Sequence, residues 1–361
     1  MNKKRLLKLL RGFSVRAKRI LHVAECDKFI PPYIRFINQN FNSDEHEFLI
    51  KNGMADDELE DANNICLSGR SALLKVKHHT QLIIKMHRAD KIILHSLIDI
   101  KMVQILSVMP WLLKKCYWMI WGADLYAYQL KRVTLKEKIN ELLRHRVINR
   151  LGHLVTYLEG DIALAKDWYG AKGTYHECLM YTSNLYKQYK LPAVDKVRVN
   201  IQVGNSADPS NNHIEALEKL LPFKHQDICI YVPLSYGHQE YAQQVIKQGK
   251  EWFGEKFKPL TDFMPFDDYL LFLSSIDIAF FNHKRQQAMG NTITLLGLGK
   301  TVYLRSETTQ WHFFAKKGIN VGDIEKLNNL DCHKLPKNIE IVKNYFSTEN
   351  YKKQLTQLFD K

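Results

Sequence analysis

Short apolar runs alternate with longer amphipathic segments along almost the whole chain, and this alternation limits the possible folds. In the first half, apolar runs at 20–24, 47–50, 91–94, 116–120 and 153–157 predict strands. Helical periodicity predicts the segments between and after them as helices, at 31–40, 71–87, 100–113, 135–150 and 160–168. Strands that alternate with helices form parallel sheets, because each helix returns the chain to the starting edge of the sheet. The pattern therefore predicts an α/β fold.

The second half of the chain repeats this alternation. Strands are predicted at 198–203, 228–232, 277–281 and 301–304, and helices at 211–221, 240–250, 267–274 and 292–299. A chain of 361 residues is too long for one ordinary core and suits two domains of ~150–180 residues. We expect two Rossmann-like, doubly wound domains at 19–185 and 197–361, which face a central cleft and are joined by the Pro192-containing linker at 186–196.

The charge of the chain indicates an anionic partner. Lys and Arg number 52 against 38 Asp and Glu, a net charge of +14, which suits a membrane surface, a nucleic acid or a phosphorylated substrate. Residues 1–18 concentrate this charge, with leucines on one side of a helical wheel and lysines and arginines on the other. This segment is either a helix that lies on an anionic bilayer or a solvated basic tail, and we favour the bilayer.

Several features favour a reduced, intracellular environment without a resident metal. The six cysteines stand singly and mostly in apolar runs, as buried thiols do. No run reaches the ~18 uninterrupted apolar residues of a spanning helix, because the best segment, 92–113, contains His95, Asp99 and Lys101. The adjacent His78 and His79 face different directions on a helix. We expect no metal site and no cofactor.

Two strand–turn–helix segments in the second half have the features of anion-binding sites. A small polar turn follows the predicted strand that ends at Val203, and another follows the strand that ends at 281. In each case the turn opens a helix, whose unpaired N–H groups and dipole favour a diphosphate. The candidate ligands are the N–H groups of Gly204, Asn205, Ser206, Gly290, Asn291 and Thr292, with the Arg285 guanidinium as a bidentate cation.

The sequences of these and other segments resemble those of one bacterial family. The motifs are Val203-Gly204-Asn205-Ser206…Asp208-x-Ser210-Asn211-x-His213-Ile214, Trp121-Gly122-Ala123-Asp124-Leu125-Tyr126, Phe266-Asp267-x-Tyr269-Leu270 and Arg285-Gln286-Gln287…Gly290. They resemble the TDP-N-acetylfucosamine:lipid II N-acetylfucosaminyltransferases, also called 4-alpha-L-fucosyltransferases, of enterobacterial common antigen synthesis. The resemblance runs from about 19 to about 358 and implies a GT-B glycosyltransferase. It also implies a dTDP-sugar donor and a polyprenyl-diphosphate-linked acceptor.

Sugar transfer needs a base for the acceptor hydroxyl and a pocket for the nucleoside. Asp124, after the strand at 116–120, and His95, after the strand at 91–94, are the candidate bases, although each is equally compatible with a structural role. Phe266 is the candidate neighbour of the nucleobase, or else a core residue at a helix start. Gln286 and Gln287 occupy the turn that would face the ribose.

The sequence thus predicts a glycosyltransferase that binds a dTDP-sugar, a lipid-linked oligosaccharide and the anionic inner face of the bacterial inner membrane. One alternative keeps the fold but uses a UDP-sugar for capsule or O-antigen synthesis. Another is a non-catalytic basic protein that binds membranes or nucleic acid. Because no basic stripe with interleaved aromatic residues is evident outside 1–18, we expect no nucleic-acid partner. A nucleotide-sugar epimerase would not need the basic amphipathic start.

Overall fold

The computed structural model describes residues 18–51, 62–68, 72–189, 198–332 and 335–360, with only the backbone given at 72–77 and 266. Two parallel sheets organise these residues. The strands of the first sheet are β1 (Ile20–Glu25), β2 (His46–Lys51), β3 (Ile65–Leu67), β4 (Lys91–His95), β5 (Cys116–Met119), β6 (His153–Thr156) and β7 (Thr174–Glu177). Those of the second sheet are β8 (Val199–Val203), β9 (Ile228–Pro233), β10 (Phe257–Leu260), β11 (Ile278–Phe281), β12 (Thr301–Leu304) and β13 (Gly322–Asp323).

Helices cover both faces of each sheet. In the first half they are α1 (Ile30–Asn40), α2 (Ala72–Arg88), α3 (Ile100–Val108), α4 (Gly122–Leu125), α5 (Leu135–Arg150) and α6 (Glu159–Tyr169). In the second half they are α7 (His213–Leu220), α8 (Gln239–Phe253), α9 (Phe266–Ser275), α10 (Met289–Gly297), α11 (Thr309–Lys316), α12 (Pro336–Tyr345) and α13 (Thr348–Asp360). The helix predicted at 100–113 ends at Val108, because Pro110 lacks an N–H and starts a separate 3-10 turn.

Both sheets have the same winding. The order of the first is β3-β2-β1-β4-β5-β6-β7 and that of the second is β10-β9-β8-β11-β12-β13, with every pair parallel. Central strands such as β4, β5 and β11 are buried along their whole length, as strands covered on both faces must be. The predicted α/β fold with two Rossmann-like sheets is confirmed. The short strands β3, β7, β10 and β13 were not predicted.

The last helix, α13, packs on the first sheet although it follows the second one along the chain. Its Tyr351 hydroxyl donates to the Met180 carbonyl (2.8 Å), and its Gln354 Oε1 accepts from the Leu179 N–H (2.9 Å). The chain therefore crosses between the sheets twice. The first crossing begins beside the second, because the Tyr186 N–H of the first donates to the Phe346 carbonyl of the second (2.9 Å).

Some predictions concern residues outside the described ranges. The basic segment 1–18 lies there except for its last residue, and so does most of the predicted linker, since residues 190–197 are among those not described. The domain bounds 19–185 and 197–361 stay predictions. Within the ranges that the structure covers, no helix is long and apolar enough to cross a membrane.

Candidate active site

The carboxyl ends of the two sheets face each other across a cleft. In each sheet the chain reverses direction beside the first strand, since β1 lies between β2 and β4 and β8 lies between β9 and β11. Open sheets of this kind bind ligands at the carboxyl ends next to such a reversal. Lys28, after β1, places its Nζ 5.0 Å from the ring centre of Tyr236, after β9, so the two ends meet directly.

Two cavities open on this cleft. The first cavity, of about 240 Å³, lies in the first domain, and its wall includes Glu25, Asp27, Lys51, His95, Met102 and Trp121. The second cavity, of about 250 Å³, lies mostly in the second domain, and its wall includes Lys28, Asn205, Tyr236, Phe263, Tyr269 and Asn291. Asp27 and Lys28 are consecutive in the loop between β1 and α1, so this loop separates the two cavities.

The turn after β8 has the predicted shape, but most of its N–H groups are already used. Gly204 has φ +69°, and a Cβ there would stand 2.3 Å from the His213 Nε2, so only glycine fits. The Gly204 N–H donates to the Phe280 carbonyl and the Asn205 N–H to the Asn211 Oδ1, both at 2.9 Å. The expectation that these two N–H groups point at a diphosphate is therefore wrong. The Ser206 hydroxyl accepts from Asn211 (3.3 Å).

Buried polar atoms without a protein partner concentrate around this same turn. Among the described residues they include Gln202 Oε1, Asn205 Oδ1, His213 Nε2, Asn282 Oδ1 and His283 Nδ1. Burial lowers the pKa of His213 to about 4 and that of His283 to about 3, so both rings are neutral near pH 7. Buried polar groups are almost always satisfied, by protein, water or a ligand. The cluster has the donors and acceptors that a polar ligand or ordered water requires.

Helix α10 provides the free N–H groups that the β8 turn does not. The helix begins at Met289 after Ala288, a non-glycine residue in the left-handed conformation (φ 56°). The first three N–H groups of a helix have no acceptor within it, here those of Met289, Gly290 and Asn291. The Thr292 N–H donates to the Ala288 carbonyl (2.9 Å), and so Thr292 is excluded as an N–H ligand. The Asn291 side chain lines the second cavity and donates to the Tyr269 hydroxyl (2.9 Å).

The turn between β11 and α10 carries Arg285 beside the helix start. Its Nη1 donates to the Gln286 carbonyl (3.3 Å), and burial lowers its pKa, partly offset by the Asp208 carboxylate. Gln287 is held from two sides, since its Oε1 accepts from the Ser210 hydroxyl (2.7 Å) and its N–H donates to the Gln310 Oε1 (3.3 Å). The turn that leads into α10 thus carries a half-buried guanidinium.

The predicted nucleobase residue Phe266 is the first residue of α9, and its side chain is outside the described part of the structure. Three positions earlier, Phe263 lines the second cavity with 81% of its surface exposed. An aromatic ring left so exposed beside a cavity offers a face for a planar ligand.

Asp124 does not face the cleft, contrary to expectation. The residue is fully buried, and its carboxylate accepts from the Leu97 N–H (2.9 Å), the Trp118 Nε1 (2.7 Å) and the Leu125 N–H (2.8 Å). Burial raises its pKa to about 6 in spite of these donors. Its geometry is that of a positioning residue, which fixes the loop after β4 to the start of α4. A role in transfer stays a prediction.

His95 belongs to a chain of buried hydrogen bonds at the wall of the first cavity. Trp121 Nε1 donates to the Tyr181 hydroxyl (2.9 Å), which lies 2.8 Å from His95 Nδ1. His95 Nε2 is 3.2 Å from His22 Nδ1, and His22 Nε2 is 3.0 Å from His46 Nδ1. Because a tryptophan can only donate, Tyr181 is satisfied when its own O–H donates to His95. Every contact is then paired if all three histidines carry the proton on Nε2.

These histidines are neutral. Burial lowers the pKa of His95 to about 3 and that of His46 to about 4, and the pKa of His22 lies well below its ordinary value for the same reason. Both nitrogens of His95 are engaged, so its ring offers no free lone pair to the first cavity in this arrangement. Its role as a base stays a prediction.

Sequence reasoning missed the loop between β1 and α1. The Asp27 carboxylate is half-buried in the wall of the first cavity, and its Oδ1 accepts from the Phe29 N–H (3.2 Å). The signal was present, since an acid at the end of the first strand stands before a helix that begins with Pro31 and Pro32. Among the described residues, no group of three or more His, Cys, Asp or Glu side chains has the proximity of a metal site.

Two Rossmann-like domains that face each other across a ligand-sized cleft define the GT-B class of glycosyltransferases. Solved structures of this class have the same fold over nearly the whole chain. WaaG, a glycosyltransferase involved in lipopolysaccharide biosynthesis, covers 94% of this chain and 98% of its own, at 14% identity and TM-score 0.58. HepE of Anabaena, solved in complex with UDP, covers 95% and 99%, at 10% identity and TM-score 0.65. A UDP-forming trehalose-phosphate synthase of Burkholderia xenovorans covers 95% and 99%, at 8% identity and TM-score 0.63.

The family follows from the sequence itself. Residues 33–359 match the model of the 4-alpha-L-fucosyltransferases, glycosyl transferase group 56. The chain belongs to this family and is a glycosyltransferase.

Proposed function

We propose that the enzyme transfers a 4-acetamido-4,6-dideoxyhexose from a dTDP-sugar to a polyprenyl-diphosphate-linked saccharide during bacterial surface polysaccharide synthesis. The reaction would take place at the inner face of the inner membrane, where the protein is peripheral. Membership of the 4-alpha-L-fucosyltransferase family supports the donor and acceptor classes. One structural observation carries the proposal: the loop with Asp27 and Lys28 lies between two cavities of similar size, one in each domain.

The second cavity suits the donor. The nucleobase lies against Phe263, and the amides of Asn205 and Asn291 supply polar contacts inside the cavity. The diphosphate binds at the start of α10, where the N–H groups of Gly290 and Asn291 are free and the helix dipole favours negative charge. Arg285 adds a bidentate cation next to it. The nearby Gln286 and Gln287 stay our candidates for the ribose.

The first cavity suits the acceptor, and Asp27 is placed to be the base. When the acceptor hydroxyl attacks the anomeric carbon, its proton passes to the Asp27 carboxylate and the bond from that carbon to the diphosphate oxygen breaks. The departing diphosphate carries the negative charge, which α10 and Arg285 stabilise. His95 and Asp124 then act by holding the wall of this cavity, since their polar atoms are engaged by neighbouring protein groups.

A titration with nucleotides tests the donor. A ligand that binds only the folded state raises the melting temperature by mass action. We expect dTDP to raise it more than UDP, GDP or CDP, and Arg285→Ala to reduce the effect. The proposed function would be refuted if none of the four nucleotides raised the melting temperature.

A UDP-sugar is the second candidate donor, because the similarly folded HepE of Anabaena was solved in complex with UDP. In that case UDP gives the largest shift. The fold, the cleft and the reaction class stay as described, and only the nucleotide assignment changes.

A further inference from the structure

Large apolar side chains are exposed on one side of the first domain. Most of the exposed large hydrophobic residues of the described chain fall between 98 and 142, namely Ile98, Val108, Trp111, Tyr128, Leu130, Val133, Leu135, Ile139 and Leu142. We call the face they form, together with the basic residues between them, the α3–α5 surface. Contiguous exposed apolar residues on a globular protein indicate an interaction site.

Hydrogen bonds join the parts of this surface. Helices α3 and α5 pack side by side, and on their outer side the Gln104 Nε2 donates to the Asn140 Oδ1 (3.2 Å). The intervening loop is tied to α5, because the Arg132 guanidinium donates to the Glu141 carboxylate (2.6 Å) and to the Leu130 carbonyl (3.0 Å). Helices α3 and α5 and the loop before α5 therefore form one continuous region, which carries these apolar side chains.

Contacts with the backbone hold these side chains in their exposed positions. Leu130 is 63% exposed and Val133 75%, both in the loop before α5, and Leu135, the first residue of α5, is 74% exposed. Arg132 and the capping box of Thr134 and Glu137 hold this segment in place. A free loop would turn such residues toward the core. Here fixed backbone contacts hold three aliphatic side chains in the solvent, which costs free energy unless another surface covers them.

Helix α5 shows the same feature through its periodicity. Arg144, Val147 and Ile148 form its buried face. Leu135, Ile139 and Leu142 are spaced by four and three residues, which places them in one stripe on the opposite face, and all three are exposed. A helix with one face in the protein core and an apolar stripe facing outward is typical of a helix that lies against a second apolar phase.

The exposed charged residues of the surface are almost all cations. The exposed basic residues from 98 to 150 are Lys101, Lys114, Lys131, Lys136, Lys138, Arg146 and Arg150, whereas the exposed acid of this stretch is Glu137, which is engaged in the capping box. Apolar side chains surrounded by cations are complementary to an anionic bilayer, in which the apolar groups reach the acyl boundary and the cations meet lipid phosphates. Trp111 has the amphipathic ring favoured at such an interface.

We infer that the α3–α5 surface docks on an anionic lipid bilayer. The inference rests on the proposed function for its meaning, because a lipid-linked acceptor lies in that bilayer. The geometry connects the two: Ile98, Lys101, Met102 and Ile105 of this region also line the first cavity. Docking therefore brings the acceptor cavity to the membrane, and it does so independently of the segment 1–18.

Vesicle flotation of the full chain tests this inference. Vesicles contain equimolar phosphatidylcholine and phosphatidylglycerol, or phosphatidylcholine alone. Combining Leu130→Ser, Val133→Ser and Leu135→Ser should lower binding to the anionic vesicles at least about tenfold. Combining Lys131→Gln, Lys136→Gln and Lys138→Gln should lower it on the order of a hundredfold, at about fivefold per cation. All six positions are exposed, so folding is preserved.

Matched controls separate this surface from others. Combining Lys247→Gln, Lys250→Gln and Lys352→Gln removes as many exposed cations elsewhere and should leave flotation nearly unchanged. Flotation of both α3–α5 variants at the wild-type level would overturn the inference, as would a loss seen only when Lys3, Lys4, Arg5 and Lys8 are replaced by glutamine. Sedimentation velocity showing a dimer that the serine variant dissociates would overturn it too, because a second copy would then cover the surface.

The failure of this inference is distinguishable from that of the proposed function. The serine and glutamine variants lie outside both cavities, so their melting temperatures should respond to dTDP like that of the wild type. Loss of flotation with an intact nucleotide response supports docking by this surface. If the wild type does not respond to nucleotides, the proposed donor is wrong. The flotation result still decides whether the α3–α5 surface docks on the bilayer.

Discussion

Gln286 of the second domain lies directly against Gly122 of the first. A Cβ on Gly122 would stand 2.5 Å from both the backbone oxygen and the Oε1 of Gln286, and 3.4 Å from an Arg285 nitrogen. The missing side chain thus lets the donor turn contact the first domain. The cleft is closed at this point because position 122 is a glycine.

Gly122→Ala should force the domains apart at the cleft. The added methyl group meets the backbone oxygen of Gln286, which cannot move aside cheaply, so the turn that carries Arg285 and Gln286 shifts away from the first domain. We expect kcat/KM for transfer to fall at least about tenfold, since reacting groups must be held to within a fraction of an ångström. Small-angle scattering with nucleotide should show a less compact particle. Ala123→Ser, at the exposed neighbouring position, is the control. Activity of Gly122→Ala at the wild-type level would contradict the prediction.

Asp27→Asn should abolish transfer and leave donor binding intact. The amide keeps the size of the carboxylate but cannot accept a proton, and loss of a general base typically lowers kcat by about 10²- to 10⁴-fold. Steady-state kinetics and a nucleotide titration separate the two effects. Asp44→Asn, exposed in the same domain, is the control. If Asp27→Asn stays active while Asp124→Asn is inactive but folded, the base is Asp124.

Arg285→Ala should weaken binding of the nucleotide diphosphate. A charged hydrogen bond to an anion contributes about 1.5–3 kcal/mol, so the Kd should rise roughly 10- to 150-fold. Arg285→Lys keeps the charge without the bidentate geometry and should give an intermediate Kd. Calorimetric titration measures both, with Lys284→Ala as the exposed neighbouring control. An unchanged Kd in Arg285→Ala would remove this residue from the donor site.

The buried histidine chain should make the fold sensitive to acid. The folded-state pKa values of His46 and His95 are lowered to about 4 and about 3, below the unfolded value of 6.5. Their contribution to the free energy of unfolding is fully present above pH 6.5. It is lost as the pH falls toward 4, because the unfolded chain then binds more protons than the folded one. Each histidine adds up to about 1.4 kcal/mol per pH unit to this slope.

His46→Asn isolates one member of this chain. Asn Oδ1 takes the place of the His46 Nδ1 and still accepts from His22, but it does not titrate. Urea unfolding at a series of pH values should show a shallower loss of stability below pH 6.5 than in the wild type. His145→Asn, at an exposed position, should keep the wild-type slope. The same slope in both variants would show that His46 is not buried in its neutral form.

The buried Asp161 carboxyl should destabilise the fold above neutral pH, where it loses its proton. The Thr309 hydroxyl donates to Asp161 Oδ1 (2.6 Å) between α6 and α11, and burial raises the Asp161 pKa from 3.8 to about 7. An acid whose pKa is raised by folding stabilises the fold below its unfolded pKa. This stabilisation is lost as the pH rises through about 7. Asp161→Asn keeps the acceptor without the charge, so its melting temperature should exceed that of the wild type at about pH 8 but not at about pH 4. Asp167→Asn, exposed on the same helix, should show no such difference.

The alternation of apolar runs was sufficient to predict both parallel sheets, because buried strands and amphipathic helices have different periods. It did not identify the short edge strands β3, β7, β10 and β13, whose two to four residues carry too little periodicity. Nor did it show that α13 packs on the first sheet, since the apolar stripe of a helix does not identify its partner. Tyr351 and Gln354 make that contact through atoms with many possible partners.

The structure brings the two predicted strand–turn–helix segments together, but several of their atoms are used differently from what we expected. Strand–turn–helix patterns located the β8 turn and the start of α10, which lie together because β8 pairs with β11. A sequence does not show which N–H groups a fold uses internally, and the side chain of Asn211, six residues away, takes the Asn205 N–H. Asp124 had the position of a catalytic acid, but the indole of Trp118, six residues before it, turns it inward.

The hydrogen bond between the Tyr186 N–H and the Phe346 carbonyl also restricts how the cleft can open. Two covalent connections that are hydrogen-bonded to each other at this point act as a single hinge line. Rotation about that line remains easy, whereas twisting or sliding of one domain against the other would have to stretch one connection relative to its neighbour. We therefore expect opening and closing to follow one path, so that closure returns Arg285 and Gln286 to the same place against Gly122.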